Sequence, residues 1–164
     1  MREVHQKKVM LCVWWDMKGI IYYELLESHQ TVIAERYRRQ LQRVAEALQQ
    51  KRPIGGRKRR KVLLLHENAR AHVATITQET IAKLGWEVLT HLAYSPDTAP
   101  SDYYLFRSAE HFLRGRSFKD VGEVRKCIED FIILKPPLFY RGGIRELPEK
   151  WRRVVGSDGN YFVD

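Results

Sequence analysis

Hydrophobic and polar positions along the chain change period several times, and each change marks an element. Residues 9–15 (Val-Met-Leu-Cys-Val-Trp-Trp) form an unbroken apolar run of strand length, which predicts a buried strand. Asp16-Met-Lys-Gly19 supplies turn chemistry, and residues 20–26 read as the hairpin partner. From residue 31 to residue 50 the apolar positions Ile33, Tyr37, Leu41, Val44 and Leu48 recur every three or four residues. That spacing predicts an amphipathic helix with arginines on its other face. Pro53-Ile-Gly-Gly56 ends it. Residues 62–65 are apolar without alternation, which predicts a strand buried on both faces in the centre of a sheet. A helix fits residues 73–84, with Ile76, Thr80, Ile81 and Leu84 on one side and Gly85 as its stop. Residues 86–94 read as a strand and 95–100 as a turn-rich loop. A helix then runs from about 101 to 114 with Ser101 as its N-cap. Asp120 and Glu123 form a capping-box-like start for a helix through Leu134. A last amphipathic segment uses Ile144, Leu147, Trp151 and Val154. The order β-β-α-β-α-β-α-α predicts one mixed α/β domain over residues 1–164, its sheet covered by helices on both sides.

Composition narrows the class. At 44% hydrophobic and 30% charged, the 164 residues have a globular rather than a disordered make-up. The longest apolar runs are five to seven residues, too short to span a membrane. The polar start leads into one strand-length apolar run without a cleavage-site pattern, so no secretory leader is expected. Cys12 and Cys127 both sit in apolar periodic stretches and read as buried, reduced thiols of an intracellular protein.

Charge adds a function class. Between Glu35 and Lys61 lie eleven basic residues and two acids, so this stretch carries the whole net charge of +9 and the remainder is neutral. The basic residues include Arg36, Arg39, Arg43, Arg57, Lys58, Arg59, Arg60 and Lys61. A localised strip of this kind is the footprint of a polyanion, nucleic acid before membrane. A solvated helix face followed by a basic loop is the plainer alternative. The 57–61 run reads as a nuclear localisation signal, a phosphate-contacting loop, or a solubilising tract.

Two acids stand where chemistry could sit. Glu67 follows the strand at 62–65, and Asp102 opens the helix after the strand at 86–94. In open α/β sheets, ligands bind in the crevice beyond the strand C-termini. Two carboxylates converging there would make an oxygen-rich site suited to Mg²⁺ or Mn²⁺. A divalent ion beside a basic strip suits phosphodiester cleavage. Either acid could instead be a helix-capping residue.

Three ordered blocks extend this reading: His66-Glu-Asn-Ala-Arg-Ala-His72, Trp86-Glu-Val-Leu, and Tyr94-Ser-Pro-Asp-Thr-Ala-Pro-Ser-Asp-Tyr-Tyr-Leu-Phe106. Together they resemble the catalytic core of mariner transposases, whose corresponding blocks are H-D-N-A-R-P-H and Y-S-P-D-L-A-P-S-D-Y. That family places thirty-four residues between its second and third catalytic aspartates, and thirty-four residues separate Glu67 from Asp102 here. The likeness continues through Val9-Met-Leu-Cys-Val-Trp-Trp-Asp, Gly19-Ile-Ile-Tyr-Tyr-Glu-Leu-Leu, Ala47-Leu-Gln-Gln-Lys-Arg-Pro53, Phe139-Tyr, Gly143-Ile and Leu147-Pro-Glu-Lys-Trp151. The resemblance implies a ribonuclease-H-like fold, a metal site at Glu67 and Asp102, DNA as partner, a homodimer, and cut-and-paste transposition in the nucleus. It implies neither a membrane nor a small-molecule substrate.

Three departures shape the expectations. The family's first catalytic aspartate lies on a T-G-D-E-K-W-type strand upstream of the block at 9–16, and that strand and the helix-turn-helix modules have no counterpart here. Asp16 aligns with the hairpin turn and is not expected to be catalytic. Glu67 replaces an aspartate, which shifts its carboxylate by roughly one C–C bond where about 0.5 Å of misplacement matters. Ala71 replaces a proline, which relaxes φ near the next helix. In a ribonuclease-H-like sheet the absent strand would lie between those at 9–15 and 62–65. These two are expected either to pair directly or to leave an incomplete sheet. Impaired cleavage follows, with a catalytically dead relic or a domesticated DNA-binding module as the alternative. A domesticated SET-domain fusion also carries a mariner domain, but nothing here resembles a SET domain, so no methyltransferase activity is expected.

Weaker constellations remain. His66 and His72 are six apart and do not share a helix face as zinc-binding i, i+4 pairs do. Trp14, Trp15, Trp86 and Trp151 suit core positions better than base stacking. Arg70 could contact phosphate or form a surface salt bridge.

Overall fold

The computed structural model describes residues 9–27, 30–53, 61–66, 69–89 and 98–156, the side chains of 154–156 excepted. Its elements are β1 (Val9–Asp16), β2 (Gly19–Glu27), α1 (Ala34–Lys51), β3 (Leu63–Leu65), α2 (Arg70–Val73), α3 (Thr75–Leu84), β4 (Glu87–Leu89), a π-helical turn (Ser101–Phe106), α4 (Arg107–Leu113), α5 (Val121–Leu134), α6 (Pro137–Arg145) and α7 (Leu147–Gly156).

The hairpin forms as its turn chemistry dictates. Asp16 pairs with Gly19, the Lys18 amide donates to Asp16 Oδ1 at 2.9 Å, and Gly19 takes a φ of 134° that favours glycine. A register shift between Trp14 and Trp15 strengthens the local twist. The hairpin faces two layers. On one side Trp14 and Ile21 meet the apolar stripe of α1, where Tyr37, Leu41, Val44 and Leu48 are all buried. On the other, Val13, Trp15 and Ile20 pack against Leu105, Ala109, Phe131 and Tyr140. Of the predicted stripe only Ile33 stays exposed, at the helix start.

Helix boundaries follow local signals. Gly85 ends α3 in the left-handed conformation at φ 73°. Asp120 caps α5 by accepting from the Glu123 amide at 2.9 Å, while Glu123 reaches back to the Lys119 amide at 2.7 Å, one residue before the usual partner. The single helix expected over 73–84 is preceded by the short α2, with extended backbone at Ala74 between them. The last amphipathic segment is split between two helices, α6 ending at Arg145 and α7 starting at Leu147, with Pro148 in the first turn of α7 where the missing N–H is tolerated.

The sheet departs most from expectation. Among the described residues there are two separate two-stranded sheets, antiparallel β1–β2 and parallel β3–β4. Strands β1 and β3 do not close up and pair, so the incomplete-sheet outcome holds for the described residues. β3 is therefore not central, and it is not buried on both faces: Leu64 is 8% exposed but Leu63 is 54% exposed. β4 covers only the start of the strand expected at 86–94, and residues 90–94 lie outside the described ones. Cys12 is half-buried, Cys127 is buried, and both are free thiols. No described helix is long and apolar enough to cross a membrane.

Candidate metal and nucleic-acid site

Asp102 is half-buried in the first turn of the π-helical segment. Ser101 does not cap that segment as expected. Instead its Oγ accepts from Trp15 Nε1 at 2.9 Å, tying the turn to β1. On the other side the Tyr103 hydroxyl donates to the Gly143 carbonyl at 2.5 Å. Any side chain at Gly143 would collide with the Tyr104 ring, so glycine there lets α6 seat closely on the turn. Burial and the nearby Glu146 charge hold the Tyr103 phenol above its ordinary range, so it stays a donor. Asp102 is thus presented by a segment clamped from two sides.

Glu67 and Asn68 lie outside the described residues; His66 on one side and Ala69 to His72 on the other are described. His66, at the end of β3, and Tyr37 share a 2.8 Å hydrogen bond between Nδ1 and the phenol oxygen, and either group can supply the proton. His72, in α2, stacks on Tyr37 with centroids 4.1 Å apart and on His66 at 4.9 Å, the two imidazoles only 7° from parallel. Face-to-face imidazoles direct their nitrogens past each other rather than onto one ion, which fits stacking and not zinc ligation. Burial raises the Tyr37 phenol well above its ordinary range, so it remains neutral. Tyr37 is the residue that sequence reasoning missed. It sat in an apolar stripe, and its polar tip was the available signal.

The basic strip is more internally satisfied than its charge suggested. Arg38 pairs with Glu35, and Arg39 with the same carboxylate at 3.4 Å. Arg43 pairs with Glu24 at 2.6 Å, and Arg52 with Asp16 at 2.9 Å. Lys51 donates to the Ile21 carbonyl at 2.7 Å, and Lys61 lies 4.0 Å from Glu87. Arg36, Arg39 and Arg43 line one shallow depression of about 290 Å³ with Glu24 and Glu35 on its rim. Arg36 Nε is buried there without a hydrogen-bond partner. Arg70 is exposed at the start of α2. Arg57, Lys58, Arg59 and Arg60 lie outside the described residues. Exposed ion pairs of this kind contribute only about 0–1 kcal/mol, so a phosphate can compete for Arg39 and Arg43.

Asp16 is confirmed as a hairpin residue engaged by Arg52. Burial pushes its carboxyl up, but the Arg52 hydrogen bonds and the Lys18 amide outweigh that and hold it below its ordinary value. A lowered folded value means stability that is present above the unfolded pKa and lost as pH falls through the folded one. Asp16→Asn should therefore cost about 1 kcal/mol at pH 7, the upper end for a partly exposed pair, and less at pH 2. Urea titrations at both pH values check this, and an equal loss at the two would contradict it.

A hard, half-buried carboxylate on a rigid turn matches the oxygen-donor preference of Mg²⁺ and Mn²⁺. Among the described residues no three His, Cys, Asp or Glu side chains converge as a complete metal cluster.

The chain is similar to known proteins in sequence and in fold. Residues 1–58 match the family model described as transposase (partial DDE domain). The chain is 48% identical to the Mariner Mos1 transposase of Drosophila mauritiana, over 95% of this chain and 45% of that protein. It is 35% identical to the histone-lysine N-methyltransferase SETMAR of Homo sapiens, over 97% of this chain and 23% of that one. It thus spans less than half the length of either curated relative. The solved Mos1 transposase catalytic domain with raltegravir and Mg superposes with a TM-score of 0.92 at 48% identity, covering 98% of this chain and 80% of that one. The Mos1 paired-end complex with left transposon end gives 0.91 at 47% identity, covering 99% and 47%. The mixed α/β architecture is therefore that of this ribonuclease-H-like catalytic domain.

Proposed function

The chain belongs to the mariner transposase family, and from that premise we propose that it is a DNA-binding catalytic domain with impaired metal-dependent cleavage. The observation that carries the reading is Asp102, half-buried on its clamped turn and separated from Glu67 by thirty-four residues. Glu67 and Asp102 would hold Mg²⁺ or Mn²⁺, with His66, Asn68 and Arg70 nearby. Such an ion activates water and stabilises the leaving oxygen of a phosphodiester. Trp15 and Ser101 fix the approach of Asp102, while Tyr37 fixes His66 beside Glu67. Arg36, Arg39, Arg43, the 57–61 run and Arg70 would contact backbone phosphates. Impairment follows from Glu67, whose extra methylene misplaces one ligand. The paired-end complex of Mos1 with its left transposon end supports DNA as partner, and a homodimer is proposed along with it. Action on DNA, with the basic 57–61 run, supports a nuclear location.

Nicking of supercoiled plasmid with Mn²⁺ tests the site. Slow nicking by the chain and none by Asp102→Ala is expected, and equal nicking by both removes the assignment. Duplex affinity should fall by about 10³-fold or more between 50 and 200 mM salt if six or more phosphates are contacted. An affinity indifferent to salt would contradict the basic strip. The SETMAR relative and the Glu67 substitution favour a second reading, a DNA-binding module that does not cut. Salt-dependent binding without nicking by any variant would select it.

A further inference from the structure

Among the described residues, the three most exposed large apolar side chains are Ile133 at 80%, Leu138 at 71% and Leu134 at 66%. All three lie in the last turn of α5 or the first turn of α6. Apolar surface gathered in this way marks a contact face. At 100° per residue, Gly122, Lys126, Asp130 and Ile133 share the side of α5 turned away from buried Cys127, Ile128 and Phe131. A Cβ added at Gly122 would meet only the Asp120 carboxylate, at 3.2 Å, so no other element packs there. Glu129 is engaged by the hairpin, accepting from the Tyr23 hydroxyl at 2.8 Å. Lys126 and Asp130 are exposed, and neither forms an ion pair among the described residues. Their order is also the weaker one within a single helix, since an acid supports a base best from four residues before it.

We propose that two copies of this chain pair through α5, antiparallel, about a two-fold axis that passes between Lys126 and Asp130. In such an isologous contact, positions equally distant from the axis meet. Lys126 of each copy then faces Asp130 of the other, and Gly122 leaves room for Ile133 and Leu134 of the second copy. A parallel pair would instead set lysine against lysine, so the order of charges selects the antiparallel one. The face is thus complementary to itself in charge, and its apolar end meets a glycine. Self-repulsion does not oppose this pairing. The net charge of +9 belongs to the strip on and after α1, whereas α5 carries two bases and three acids. These helices pack on opposite faces of the β1–β2 hairpin, so pairing through α5 leaves both basic strips outward for DNA. The proposal rests on the homodimer read above and supplies its surface, but it needs no DNA. One helix pair with its flanking turns falls below the roughly 1,200 Å² of a standard interface, so the two copies exchange readily.

Sedimentation equilibrium of the whole chain without DNA should show a monomer–dimer equilibrium. Lys126→Glu alone and Asp130→Lys alone each set like charges across the axis and should weaken pairing at least about tenfold. The double variant restores the match with the signs exchanged and should pair about as tightly as the original chain. An equimolar mixture of the two single variants should form mixed dimers in preference to either self-pair. Ile133→Lys should also weaken pairing at least about tenfold by placing a charge on the apolar end. All three positions are exposed, so urea midpoints of the dilute proteins should not change. A chain that stays monomeric up to its solubility limit, single variants that pair like the original, or a double variant as weak as the singles would each overturn the proposal. A monomer that still binds duplex in a salt-dependent way would remove this surface and leave the DNA reading standing.

Discussion

Replacing Tyr37 by alanine is expected to cost the fold about 3–5 kcal/mol and to loosen the segment that carries Glu67. The side chain is 3% exposed and packs with Leu41, Leu64, Ala71 and Ile81. It also holds His66 by a hydrogen bond and His72 by stacking, one on each side of Glu67. Removing the ring therefore empties a core volume and releases both anchors together. Tyr37→Phe separates the two contributions. It keeps the ring stack and the packing and loses only the hydroxyl, at about 1 kcal/mol. Urea midpoints with unchanged slopes would give the two energies, and amide exchange over 69–73 would report the loosening. If Tyr37→Phe proved as damaging as Tyr37→Ala, the hydroxyl and not the ring would be the main support.

Glu67→Asp should raise Mn²⁺-dependent nicking by about 10²-fold, the scale on which a displacement near 1 Å acts on a reacting geometry. The reasoning is geometric. Both residues offer the same ligand atoms, so charge and metal preference are unchanged and only reach differs. Single-turnover rates at saturating metal isolate this effect from binding. An unchanged or lower rate for Glu67→Asp would show that the site is built around the longer side chain, and the impairment proposed above would fall with it.

Much of the architecture was legible because its signals are local. The three-to-four residue stripe of α1, the Asp16–Gly19 turn, the Gly85 stop and the Asp120 cap each depend on a few neighbouring residues, and each formed as read. The sheet was less legible because strand partners are chosen at long range. Nothing in Leu63-Leu-Leu65 tells whether one edge or two will be paired, or that the face carrying Leu63 is left uncovered. The candidate site was half legible. Asp102 stood out by spacing, whereas the contacts that hold it, Trp15 to Ser101 and Tyr103 to Gly143, link residues 86 and 40 positions apart. The strip of arginines misled in degree, since its neutralising partners Glu24 and Asp16 come from the hairpin and not from the helix.

The π-helical turn at Ser101–Phe106 has a consequence for the kinds of change this gene can tolerate. Such a turn is a helix with one residue more than its α-helical equivalent. Deleting a single codon within it would let the segment wind as a regular α-helix into α4. Every residue before the deletion would then swing about 100° around the axis, the angular step of one α-helical residue. Asp102 would leave its place, and Ser101 would lose the Trp15 indole. A one-codon deletion here would thus give a more regular helix and an erased site. At these six residues, selection for a better-wound helix and selection for DNA chemistry pull in opposite directions.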